Sequence, residues 1–240
     1  MFFKKIILFI IFSIFYIHSS NAYPAQENEY NFSVKLSPVM SPDFYIKAAH
    51  KYFNSIDSTA LDKTAPKYSK KVIRWEWKPW LLLTGYKSWM MKLDYFLTWY
   101  PTEVINRDCR FFRVQPFARC RVTFHYINPD TYFDIYEEFT FNNLGEITFV
   151  EAWSDHPGYL PMGANDHWAE SKNVKRLSWR VPGLGSNDGK YNKKKLKTLS
   201  ENDEDLAELY KRLKHPVIFW MKEATRFLKD SRNGRVPESN

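Results

Sequence analysis

The sequence predicts an α+β fold, and three observations carry that prediction. Apolar residues recur at helical spacing after Ser41-Pro42-Asp43. The segment Val72-Ile73-Arg74-Trp75-Glu76-Trp77 alternates with the period of a strand. Residues 103–153 then hold four strand-like runs separated by turn residues at hairpin lengths. Helices that come first, followed by a run of strands, belong to the class in which helices pack on one side of an antiparallel sheet.

In the first helix, Ser41 suits the cap and Pro42 the first turn. Phe44, Ala48, Tyr52, Phe53 and Ile56 share one face. Residues 57–70 are expected to form a short second helix and turns. In the strand at 72–77, Ile73, Trp75 and Trp77 share one face, and Arg74 and Glu76 the other. Residues 86–99 predict a helix with Trp89, Met90, Leu93, Phe96 and Leu97 on its apolar face, stopped by Pro101. The four strands of the meander are predicted at 103–113, 118–127, 132–141 and 146–153. Gln115-Pro116, Asn128-Pro129-Asp130 and Asn142-Asn143-Leu144-Gly145 connect them. Residues 154–200 are rich in Gly, Pro, Asn and Lys. Two amphipathic helices follow at 201–213 and 216–228, the first lined by Leu206, Leu209, Tyr210 and Leu213. No internal repeat is present.

The N-terminus predicts export. A basic start, Lys4-Lys5, precedes an apolar run over residues 6–17 broken only by Ser13, and small residues follow. That is the layout of a cleaved secretory signal. Ser20 and Ala22 place the cut after Ala22, with a polar linker over residues 23–41. A membrane-spanning helix needs about 20 apolar residues, more than this run supplies. Loss of residues 1–22 lowers the formal charge from +8 by two, to +6. The mature chain is therefore expected to be secreted or periplasmic, with affinity for an anionic surface through its basic tail, where Lys193-Lys194-Lys195 and Lys197 cluster. No nucleic-acid motif is present. Cys109 and Cys120 are the chain's two cysteines. An even count in an oxidising compartment predicts a disulfide between them. With the turn centred at 114–115 they stand directly opposite across a hairpin.

The order of elements, together with the stretch Tyr136-Glu137-Glu138-Phe139-Thr140-Phe141-Asn142-Asn143-Leu144-Gly145-Glu146-Ile147-Thr148-Phe149-Val150-Glu151-Ala152-Trp153, resembles the nuclear transport factor 2-like superfamily and its SnoaL-like domains. The resemblance covers about residues 42–155, leaving 156–240 as a loop-rich and helical C-terminal extension. It implies a cone: a strongly bent antiparallel sheet wrapped on N-terminal helices, open at one end. Such cones often hold an apolar ligand, some are cofactor-free isomerases, cyclases or dehydratases, and many pair as homodimers through the outer sheet face. Fold alone does not decide among these.

A pocket reaction of that type needs an acid held among apolar groups, where desolvation raises its pKa. Glu137 interrupts the apolar phase Phe133, Ile135, Phe139, Phe141. Glu151 interrupts the phase Ile147, Phe149, Trp153. The two acids are expected to face one space if register permits, with salt bridges to an arginine such as Arg121 or Arg74 as the structural alternative. His125 is the third candidate, as acid, base or donor. The expected ligand-lining residues are Trp75, Trp77, Asp94, Tyr95, Trp99, Phe133, Phe149 and Trp153. Asp155-His156 and Asp166-His167 lack the spacing of a metal site, and neither a metal nor a cofactor is expected. Three functions stay open: an exported binder of a small apolar molecule in an aromatic-lined cavity, a proton-transfer enzyme using a pocket carboxylate, and a secreted interaction protein acting through its basic extension.

Overall fold

The computed structural model describes residues 37–77, 85–86, 101–127, 130–155, 160, 163–171, 174–181 and 192–214. The export signal, most of the linker, and the helices expected at 86–99 and 216–228 lie outside the described residues, apart from Tyr86. So do Asp94, Tyr95 and Trp99.

Helix α1 spans Pro42–Ile56. Ser41 caps it, its hydroxyl accepting from the Phe44 N–H at 3.3 Å. Tyr45, Ala48, Ala49, Tyr52, Phe53 and Ile56 form its buried stripe, at the spacing of one helical face. No second helix follows. The Asp57 carboxylate takes the Thr59 N–H and the Asp62 carboxylate that of Thr64, both at 2.9 Å, so the segment is built of side-chain-capped turns.

The strands are β1 Tyr68–Glu76, β2 Gly85–Tyr86, β3 Thr102–Phe111, β4 Ala118–Tyr126, β5 Thr131–Phe141 and β6 Ile147–Ser154. They form one strongly curled sheet in the order β2-β1-β6-β5-β4-β3. The meander matches expectation within about two residues. The wholly antiparallel arrangement does not hold, because β1 runs parallel to β6. Strand periodicity reports which faces are apolar and is silent on how strands far apart in sequence will pair. Tyr86 pairs with Ile73 as part of β2 and does not begin a helix.

Two bulges govern what faces where. Between Ile105↔Thr123 and Asp108↔Arg121, β3 carries one residue more than β4. Asn106 absorbs it at φ 52°, a left-handed conformation that asparagine tolerates. Arg107 then reaches the C-terminal end of α1, pairing with Asp57 at 2.6 Å and donating to the Asn54 side chain. The second bulge lies at Thr148, where β6 carries the extra residue against Thr140 and Phe141. It puts Ile147 on the α1 side with Val150 and Ala152, and Phe149 on the opposite side. The expected phase of Ile147, Phe149, Glu151 and Trp153 is therefore split: strand faces exchange at bulges.

Both faces of the sheet are covered. The inner face packs on α1 through Val72, Val104, Ala118, Val122, Phe124, Ile135, Phe139 and Phe141, among others. The outer face is covered by the C-terminal segment, which contributes α2 Leu177–Arg180, α3 Lys193–Leu199 and α4 Glu204–Lys214. Leu177, Leu196, Leu206, Leu209 and Leu213 close over Ile73, Trp75 and Phe149. Arg180 ties α2 to the start of α4, meeting Asp203 and Asp205 each at 2.7 Å. The outer face, expected as a dimer seam, thus carries part of the chain's own extension.

Cys109 and Cys120 are register partners on β3 and β4 and are joined by a disulfide. Beyond it, the hairpin is held by Gln115. Its side-chain amide donates to the Phe141 carbonyl and accepts the Phe141 N–H at 3.1 Å. Replacing both cysteines with alanine is expected to lower unfolding stability by up to about 3 kcal/mol, from the chain entropy of the short loop. Urea unfolding of the oxidised chain and the double variant measures this, and coincident transitions would show that the bridge contributes nothing.

Candidate functional site

The inner face is apolar except at one place. Arg74 on β1 is fully buried, and each of its three guanidinium nitrogens donates to a neighbour. Nε donates to the Tyr52 hydroxyl at 2.8 Å, Nη1 to Glu76, and Nη2 to Glu137 Oε1 at 3.0 Å. Tyr126, also buried, lies within electrostatic reach of Glu76, Arg74 and Glu137. The cluster therefore joins one guanidinium, two carboxylates and two phenols, contributed by α1, β1, β4 and β5.

Burial pushes Glu137 upward. Arg74 opposes this, Glu76 adds to it, and hydrogen bonding from Tyr52 and Arg74 pulls back down. Burial holds both phenols well above the usual tyrosine range, so they stay neutral donors. Arg74 stays charged: the Glu137 and Glu76 carboxylates hold it above its ordinary value against the penalty of burial. Glu137 Oε2 is buried and has no hydrogen-bond partner by distance and angle.

Glu151 lies elsewhere. The register pairs Glu137 with Ala152 and Glu138 with Glu151, so the two candidate acids face opposite sides of the sheet. Glu151 is fully buried under the C-terminal segment, with Trp77 Nε1 donating at 2.8 Å and the Leu177 N–H at 3.3 Å. Burial first, and the Glu138 charge second, push its carboxyl up to about 8. His125 is in a third location, on the outer face of β4. Its Nδ1 is 2.9 Å from Glu103 and its Nε2 2.7 Å from Asp130, and the ring stacks on Tyr132 at 4.2 Å. The hydrogen bond with Glu103, then that with Asp130, holds its pKa above the ordinary value. The three residues do not form one constellation.

The expected lining residues also divide. Phe133 packs against the inner core. Trp75 and Phe149 lie under the C-terminal helices, and Arg212 is 4.4 Å above the Trp75 ring. Trp153 packs with Tyr136, Ala169 and Val174, and Trp77 borders both outer clusters. The inverse arrangement, with Arg74 and Glu76 inside, was missed because exposed and buried charges look alike in sequence. One signal is present in the sequence: Glu137 lies in an apolar phase, where a buried acid calls for an arginine partner. Asp166 serves as a turn cap, accepting the Glu170 and Ser171 N–H groups. Among the described residues no group of three acids, histidines or cysteines is placed to hold a metal ion, and no helix is long and apolar enough to cross a membrane.

No family model matches the chain, and no curated protein matches it. Among solved structures it is similar to a protein of unknown function with a cystatin-like fold from Methylobium petroleophilum PM1, at 13% identity and a TM-score of 0.42. That similarity covers 53% of this chain and 85% of the other.

Two predictions follow from the two charged sites. Arg74→Met leaves Glu76 and Glu137 buried without their cation, and a broken buried pair costs about 3–5 kcal/mol. Unfolding curves should show that loss, and Glu137→Gln in the same chain should recover part of it. The second prediction concerns His125, whose raised pKa means that its ion pairs stabilise the fold below the ordinary histidine value. That contribution is lost as pH rises through the raised value. His125→Gln should therefore lower the melting temperature at about pH 6 and leave it nearly unchanged at about pH 9. An equal effect at both pH values would rule out the imidazolium.

Proposed function

We propose that this is an exported, disulfide-bonded protein that holds a small, largely apolar molecule inside its curled sheet, with the ligand's polar end at the Arg74–Glu137 cluster. The observation that carries the reading is the unpartnered Glu137 Oε2, in an aromatic surrounding from which water is excluded. Buried polar atoms are almost always hydrogen-bonded, so one that is not marks where a donor belongs. Phe53, Phe124, Tyr126 and Phe139, with Phe133 packed against them, supply the apolar surrounding. The order of elements supports a SnoaL-like cone, and the disulfide supports passage through an oxidising compartment.

Binding is favoured over proton transfer for a specific reason. The Arg74 guanidinium, 3.0 Å from Oε1, stabilises the Glu137 carboxylate and so weakens it as a base, while Oε2 can still accept a hydrogen bond. Glu151 and His125 are too differently placed to assist it. The interaction reading rests on the lysines of α3, of which Lys193, Lys194, Lys195 and Lys197 are exposed. They suit an anionic surface and are compatible with ligand binding at the inner face.

The test uses Nile red as a neutral apolar probe, displaced by a panel of neutral and amine-bearing amphiphiles. Glu137→Gln and Tyr126→Phe are expected to weaken the best competitor about tenfold or more. Saturable binding that neither variant changes would place the ligand elsewhere, and an absence of binding would end the proposal. N-terminal sequencing of the exported chain should begin at Tyr23.

A further inference from the structure

One row of residues crosses the outer face from strand to strand: Arg110, Arg119, Glu138, Glu151 and Trp75 are successive register partners. It sets two carboxylates directly opposite one another, and both are completely buried. Cross-strand partners stand about 5 Å apart at Cβ. Two ionised groups at that spacing, with water excluded, repel strongly.

The donors around the pair are unevenly divided. Arg119 and Arg176 both donate through Nε to the same oxygen, Glu138 Oε2, at 3.0 and 2.8 Å. Among the described residues, their other donations go to the Trp168 and Ala169 carbonyls. Glu151 Oε1 receives, among the described residues, neutral donors alone, the Trp77 indole and the Leu177 amide. This leaves Glu138 Oε1 and Glu151 Oε2, both buried and both without a partner. One proton placed between two such oxygens gives one a donor and the other an acceptor.

We propose that Glu138 and Glu151 hold a single proton in common, the Glu151 O–H donating to Glu138 Oε1, and that this proton is a pH-sensitive latch fastening residues 168–171 and 174–181 to the outer face of the sheet. The groups that meet the pair come largely from that segment: the Trp168 and Ala169 carbonyls on the arginines, Arg176 on Glu138, and the Leu177 amide on Glu151. Removal of the proton leaves two facing carboxylates beneath it.

Among the described residues, the other charges around the pair are few. Arg119 comes from β4 and Arg176 from just before α2. Glu170, in the same segment, acts on Arg119. Arg212 of α4 is engaged with Glu208 and lies over Trp75. From β1 the uncharged Ile73 and Trp75 are on this face, with Trp77 just beyond the strand, while Arg74 and Glu76 point inward. Glu151, pushed up to about 8, keeps its proton through neutral pH. The latched state therefore has its full stability below the ordinary glutamate pKa and loses it as pH rises from there through about 8. The latch is independent of the ligand reading.

The experiment is amide hydrogen exchange on the full chain from about pH 6 to about pH 10, corrected for intrinsic exchange rates. Protection of residues 174–181, Leu177 above all, is expected to fall about tenfold or more across the alkaline limb while the β4–β5 amides stay protected. Glu151→Gln keeps an acceptor for Trp77 and Leu177 and an N–H for Glu138, so its protection should not vary with pH. Uniform protection in the wild type, or the same decline in Glu151→Gln, overturns the latch. Should that variant not fold, carbon-13 carboxyl titration of the wild type decides. With the resonances assigned, titration of Glu151 near 8 supports the shared proton, and titration of both Glu138 and Glu151 near the ordinary value refutes it.

Discussion

Arg74 carries a charge into a place from which water is excluded, and much of the molecule is arranged around that fact. A buried guanidinium is tolerated only where its donors are met and its charge is balanced. Tyr52, Glu76 and Glu137 do this from α1, β1 and β5. The cluster therefore pins the helix to two strands that are not neighbours in the sheet, with β6 between them. The same arrangement leaves Glu137 Oε2 buried without a hydrogen-bond partner.

Burial of both faces of β1 and β6 accounts for the second polar cluster. Once the C-terminal segment covers Ile73, Trp75 and Phe149, any carboxylate in the same row loses its water as well. Glu138 is compensated by two arginines. Glu151 has two neutral donors, which only partly offset burial first and the adjacent Glu138 charge second, and its pKa is raised accordingly. The sheet thus has a charged cluster on each side, one fastening α1 and the other fastening the extension. These interactions add specificity of docking more than net stability, since ion pairs in such places roughly repay their desolvation.

Bulges distribute residues between the two sides. The extra residue at Thr148 moves the remainder of β6 by one position, sending Phe149, Glu151 and Trp153 outward and keeping Ile147 inward. Without it Glu151 would stand on the inner side, as the uninterrupted alternation suggested. At Asn106 the extra residue sits one step before Arg107, which binds the end of α1. Both changes are local backbone events that alternate-residue patterns do not encode.

The sequence by itself determined the α+β class, the first helix with its Ser41 cap, the four-strand meander and the cysteine pairing. These rest on local periodicity, turn chemistry and hairpin register, all of which act over a few residues. It also marked Glu137 as an acid out of place in an apolar phase, and Arg74 as one of its possible partners. Tertiary structure alone decided that β1 joins β6 in parallel, that Glu137 and Glu151 are separated by the sheet, and that the tryptophans of β1 lie under the extension. Each of those depends on contacts between segments distant in the chain, where the free energy of packing two faces at once outweighs any preference that a single strand expresses.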